Sequence, residues 1–246
     1  MPGSLVFQGA DQYVIDCIKD IDTVNTNTFE ERCATLRFLL SQQPQLIEAR
    51  NEYQFTPLHY ACAIEFRNGR QLEFIRCLIA HNADLNARGV YGLTPLHIAV
   101  CSWKAHSNVF EVICTLIKHG ADPDAVTEHG STLLHIAAHQ LPSMVFHELV
   151  EFLVSIGRTK SFNAKDSDGW TVLHHTVSER HFQPRVETLE IFKAHGFDFN
   201  AITNKGISIA LTAFSSGCSK NFLKILRQFG TDCEVWILDP EQKNFT

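Results

Sequence analysis

The stretch YGLTPLHIAV, residues 91–100, decides the fold. Thr94 reads as a helix N-cap, its hydroxyl taking one of the free backbone N–H groups of the first turn. Pro95 is then the first helical residue, where a missing N–H costs nothing and φ is already set. His97 stands three residues after the cap, the position from which a capping-box side chain reaches back to it. An imidazole can play that part, and its second nitrogen can tie to a neighbouring loop. Gly92, two residues before the cap, suits a tight turn that needs positive φ.

The same text recurs along the chain. FTPLHYACA places its cap at Thr56, STLLHIAAH at Thr132 and WTVLHHTVS at Thr171, and a worn copy, ISIALTAFS, begins beside Ser208. The caps lie 38, 38, 39 and 37 residues apart. A near-constant period of this size marks a repeat architecture. Each motif is followed by a second apolar helix. In VFEVICTLIKHGADPDA, Val109, Val112, Ile113, Leu116 and Ile117 share one face, and Gly120 supplies a left-handed helix end. Asn82, Gly157, Gly196 and Gly230 occupy that slot in the other copies.

The Thr-Pro-Leu-His text, the leading glycine, HGADPDA and HNADLNA (81–87) resemble the ankyrin repeat, with its T-P-L-H-x-A signature and roughly 33-residue period. The resemblance covers about residues 28–234. It implies an all-α ankyrin-repeat solenoid of stacked helix pairs with short β-hairpin turns and, here, lengthened interhelical segments. The expected organisation is a capping helix pair over 1–50 and repeats over 51–88, 89–126, 127–165 and 166–202. A degenerate fifth repeat with a C-terminal cap follows over 203–246, all in one continuous domain.

Departures from the pattern are informative. Gln54 replaces the turn glycine of repeat one, and Leu133 and Val172 replace the proline of repeats three and four. Repeat five has Ser208, Ile209 and Leu211 where Thr, Pro and His stand elsewhere. The first four repeats carry extra residues between their helices: EFRNGRQ, SWKAHSN, QLPSMVFH and RHFQPRV. Each insertion either lengthens the helices by about a turn or projects as a loop. DQYVIDCIKDI and FEERCATLRFLLSQQPQLIEA read as the two N-terminal helices. Val235, Trp236 and Ile237 either cover the exposed face of repeat five or mark a natural chain that continues.

Composition bounds the function. The 246 residues have 45% apolar and 20% charged side chains, the balance of a globular chain. A net charge of −6 argues against nucleic acid, whose binding relies on basic surface. The N-terminus carries no signal pattern, and no apolar run approaches the roughly 20 residues needed to cross a bilayer. The expectation is an intracellular protein, cytoplasmic or nuclear. The 8 cysteines form no C-x-x-C pair and mostly sit in apolar helical text, as Cys62, Cys77 and Cys114 do.

The 13 histidines do not point to catalysis or metal. His59, His97, His135 and His174 belong to the repeated cap. His81, His119 and His195 sit at helix C-termini, where partial positive charge suits the dipole. His174 and His175 are adjacent on a helix and point in different directions. No H-E-x-x-H, P-loop, G-x-S-x-G or dinucleotide fingerprint is present. The expectation is no catalytic residue, no metal and no cofactor.

The resemblance implies binding of another protein on the concave face made by the turns and first helices. The slots flanking the turn glycine hold Tyr53 and Phe55, Tyr91 and Leu93, Glu128 and His129, and Asp168 and Trp170. Aromatic residues are enriched in binding hot spots. Each aromatic alternatively packs on the neighbouring turn. Trp103 and Phe182 in the insertions offer a competing surface. The turns carry mostly acidic residues and the insertions mostly basic ones, so a partner on the turn edge would present basic residues. The expected function is that of a monomeric, non-catalytic scaffold or adaptor that neither binds nucleic acid nor inserts in a membrane. Two alternatives stand beside it. One is an effector of an intracellular bacterium or virus that binds a host protein in the host cytosol. The other is a targeting module of a longer enzyme or channel.

Overall fold

A computed structural model describes residues 26–63, 71–102, 108–178 and 184–232. The described residues form eleven α-helices and no strand. Trp103, Phe182 and residues 233–246, including Trp236, lie outside them, as does the first N-terminal helix expected over 11–21. The chain divides into two compact units, residues 1–128 and 129–246.

In the first unit, α1 spans Thr26–Gln42 and is followed by a short 3-10 turn, Pro44–Glu48. Repeat one contributes α2 (Pro57–Ala63) and α3 (Gln71–Ala80). Repeat two contributes α4 (Pro95–Cys101) and α5 (Val109–Lys118). First helices pack on first helices, α2 on α4, and second helices on second, α3 on α5. All five residues of the apolar face read in α5 are buried.

The second unit holds α6 (Leu133–Gln140), α7 (Ser143–Ser155), α8 (Val172–Ser178), α9 (Val186–Ala194), α10 (Ile209–Ser215) and α11 (Lys220–Gln228). Here α6 packs on α8, α8 on α10, and α7 on α9. An aromatic core runs along the second helices. Phe192 is fully buried, with its ring centroid 5.1 Å from Phe162, 5.2 Å from Phe197 and 6.5 Å from Phe146.

Of the four insertions, QLPSMVFH is fully described. It lengthens helices and makes no loop: α6 has 8 residues and α7 has 13, against 7 and 9 in the shortest pair. Pro142 starts α7 as its N-cap. It lacks the N–H that a residue inside the helix would need.

The caps behave as the motif requires. The backbone N–H of Thr94 donates to His97 Nδ1 at 3.2 Å, and His97 N–H points back to the Thr94 hydroxyl at 3.4 Å. The same bond joins Thr56 to His59, Thr132 to His135 and Thr171 to His174. A backbone N–H can only donate, so Nδ1 is unprotonated and Nε2 carries the proton. That Nε2–H donates to the next turn: His59 to the Leu93 carbonyl, His135 to Trp170 and His174 to Ile207. The repeated histidine therefore closes its own helix and ties it to the following repeat. Thr94→Ala is expected to cost about 1 kcal/mol and to leave partner binding in place. A variant with an unchanged melting temperature that no longer binds would overturn this structural role.

The helix ends and turns match their expected conformations. Gly120, Gly157, Gly196 and Gly230 have positive φ, and Asn82 adopts the same region. Gly169 shows why the turn glycine is needed. Its φ is +80°, and a Cβ there would sit 2.6 Å from the backbone nitrogen of Asn204 in the next turn. Gln54 takes up the left-handed conformation of the glycine it replaces, with φ of 61°. In repeat five, Ser208 keeps the cap, accepting from Leu211 N–H at 3.2 Å.

Candidate functional site

The turns stack through their backbones. In each repeat the residue four before the cap donates its N–H to a carbonyl of the preceding turn. Val90 donates to Tyr53 and Glu128 to Tyr91 in the first unit; Ser167 donates to His129 and Asn204 to Asp168 in the second, each at 2.9 Å. This ladder occupies the main chain at the turn apex and leaves the side chains projecting. A long-side-chain donor reinforces it one step further along: Arg50 to the Arg88 carbonyl, Arg88 to Val126 and Lys165 to Ile202.

The residues expected at the binding edge fall into two groups. Tyr53 and Tyr91 are 53% and 58% exposed, and His129 and Asp168 are also exposed. Tyr91 is further distinguished by a left-handed backbone, φ 58° and ψ 17°. For a bulky side chain that region costs on the order of 1–2 kcal/mol. Phe55 and Leu93, by contrast, are half-buried. The Phe55 ring lies across Gly89, where an added Cβ would come within 2.2 Å of it, and stacks on His59 at 5.1 Å. It packs along the repeats. Trp170 is half-buried, with its ring 5.9 Å from His174 and 5.1 Å from His175.

The histidines at helix C-termini satisfy orphan carbonyls. His81 Nδ1 donates to the Cys77 carbonyl at 2.8 Å, His119 to Thr115 at 2.7 Å and His195 to Ile191 at 3.1 Å. Burial pushes His59, His97 and His174 down from 6.5 to about 4, so the cap imidazoles are neutral at pH 7. Burial lowers His135 as well. Cys62 and Cys77 are buried, Cys114 is half-buried and Cys101 is exposed. Burial raises the Cys62 thiol, which disfavours the thiolate.

One side-chain group was not legible as a unit in the sequence. Asp166, in the turn before α8, accepts from His175 Nε2–H at 2.8 Å, and His175 Nδ1 faces His139 Nε2 at the end of α6. The signal for it lies in repeat-by-repeat comparison. Counting from the cap, the Asp166 slot holds Asn51, Gly89, Thr127 and Thr203 in the other repeats. The His175 slot holds Tyr60, Ile98, Ile136 and Thr212, and the His139 slot Ala63, Cys101, Ser178 and Ser215. Among the described residues no group of three or more His, Cys, Asp or Glu side chains has the placement of metal ligands. In this cluster the imidazoles meet nitrogen to nitrogen, with no room for an ion between them.

Stacked helix pairs, turns tied carbonyl to amide and a cap histidine bridging to the next repeat define a helical repeat protein. The chain matches the family described as Ankyrin repeats (3 copies) over residues 27–127, 66–158 and 103–203. It belongs to the ankyrin-repeat family, whose members mediate protein–protein interaction and are typically non-catalytic. No curated protein matches the sequence. Among the described residues no helix is long and apolar enough to cross a membrane.

Proposed function

We propose that this chain is a non-catalytic scaffold that binds another protein along its turn edge. Each unit carries its own stretch of that edge: Tyr53 and Tyr91 in residues 1–128, and His129, Asp168 and Trp170 in residues 129–246. The observation that carries the reading is Tyr91. A large aromatic side chain, more than half exposed, is held in a costly left-handed backbone. Such strain accumulates at functional positions. Tyrosine and tryptophan also dominate binding energy where they anchor an interface. The acidic character of the turns, with Asp168 and Glu52 exposed, fits a partner that presents basic residues.

The test begins with capture of a partner by affinity purification and mass spectrometry. Tyr91→Ala and Trp170→Ala are each expected to weaken its binding by at least about 2 kcal/mol, roughly thirtyfold, with helical circular dichroism unchanged. Trp103→Ala, in the insertion of repeat two, serves as the comparison. Loss of affinity in the Trp103 variant alone would move the contact surface to the interhelical segments.

A further inference from the structure

The cluster at the end of α6 and the start of α8 has a direction. Asp166 Oδ1 accepts the backbone N–H groups of Asp168 at 3.0 Å and Trp170 at 2.9 Å, and the Asp166 N–H donates to the Trp170 carbonyl at 2.9 Å. Its other oxygen, Oδ2, accepts from His175. A carboxylate only accepts, so His175 holds its proton on Nε2 and leaves Nδ1 as an acceptor. His139 must then donate to it through Nε2–H. The tautomers of both imidazoles are set by one aspartate, and that aspartate also organises the turn carrying Trp170. The His175 ring lies 5.1 Å from the Trp170 indole, the two planes tilted by 47°, and the His139 and His135 rings meet the His175 ring edge to face at 4.6 and 5.3 Å.

The chain can hold one extra proton and not two. With one, either imidazole becomes the cation, the other keeps a lone pair on the shared nitrogen, and every hydrogen bond survives beside the Asp166 charge. With two, N–H would face N–H across the His139–His175 contact. The surrounding groups sharpen this difference. His135 on α6 and His174 on α8 flank the pair as neutral imidazoles, and a charge on His135 or His139 opposes one on His175. Lys165 precedes Asp166 in the turn, and α10, on the far side of α8, carries no titratable side chain. His175 accordingly sits near 4, lowered first by burial and then by its histidine neighbours, against the Asp166 bond that raises it.

We propose that Asp166, His175 and His139 form a directional hydrogen-bonded chain that makes the Trp170 edge proton-sensitive, a gained proton placing positive charge beside the indole and weakening a basic partner's hold there. The effect on a partner rests on the reading of Trp170 as a contact, but the chain itself can be tested without any partner.

The first measurement is the imidazole tautomer state, read by long-range 1H–15N correlation at pH 7.5. Both His139 and His175 are expected as Nε2–H tautomers. In Asp166→Asn, the amide oxygen can still accept from Asp168 and Trp170 while its NH2 faces His175. Both imidazoles are then expected to flip to Nδ1–H. The second measurement uses the variant with Trp103→Phe and Trp236→Phe, leaving Trp170 as the fluorophore. An imidazolium quenches indole emission. Trp170 emission is expected to fall in one step as pH is lowered through the range where circular dichroism stays constant, and His139→Gln is expected to remove that step. Nδ1–H tautomers in the parent chain, unchanged tautomers in Asp166→Asn, or an emission step that His139→Gln leaves in place would each overturn the proposal. If these results hold and Trp170→Ala still binds the captured partner normally, the proton chain stands and the contact reading fails.

Discussion

Phe192→Ala is expected to cost about 3–5 kcal/mol, the range for deleting a fully buried aromatic side chain. Phe192 has no exposed surface and sits among Phe146, Phe162 and Phe197. These residues come from α7, from the 3-10 turn Lys160–Asn163, and from the segment after α9. Such a loss is a large share of the roughly 5–15 kcal/mol that holds an ordinary domain. The neighbours cannot close the gap by a rotamer change alone, because Phe162 and Phe146 are themselves fully buried. Urea unfolding followed by circular dichroism is the direct measurement. A cost below about 1 kcal/mol would mean that the aromatic core is not packed as described.

Acid is expected to destabilise the protein progressively before its carboxylates protonate. His59, His97, His174 and His175 are held down near 4 by burial, whereas an unfolded histidine titrates near 6.5. The unfolded chain therefore binds more protons than the native one between these values. Stability falls as pH drops from about 6.5 to about 4, and histidines add no further slope below that. Each group contributes at most on the order of 3 kcal/mol over this window. Two such groups lie in each unit, so their combined loss is a sizeable share of the roughly 5–15 kcal/mol that holds an ordinary domain. Urea midpoints at pH 7, 6, 5 and 4.5 should decline steadily. His97→Gln keeps a side chain that can reach back from the third helical position and should make the decline shallower. A midpoint independent of pH between 7 and 4.5 would show that these histidines are not buried neutral groups.

The sequence was legible wherever the deciding interaction is local. Thr94, Pro95 and His97 declare a helix start because cap, first turn and reach-back lie within four residues. Gly120 and Asn82 declare helix ends because a left-handed residue is a property of one position. The repeat then multiplied this local signal, so α2, α4, α6 and α8 could be placed without knowledge of any distant contact. Even Gln54 follows the rule, adopting the conformation of the glycine it replaces. Ambiguity began where two local outcomes compete. QLPSMVFH could have looped out or extended its helices, and packing of Phe146 in the core drew it into α7.

Which aromatic side chains are spent inside the fold was not written in the sequence. Phe55 and Tyr53 flank the same turn, but Phe55 lies across Gly89 and Tyr53 projects, a difference made by a backbone 34 residues further on. The Asp166–His175–His139 chain is the stronger case. His139 and His175 are 36 residues apart and meet only because α6 packs on α8. By itself the sequence determined the repeat, its helix starts and its left-handed ends, since these depend on neighbours along the chain. Tertiary structure alone decided which polar groups face one another, which tautomers they hold and which rings stay exposed, since stacking joins positions a full repeat apart that no local pattern connects.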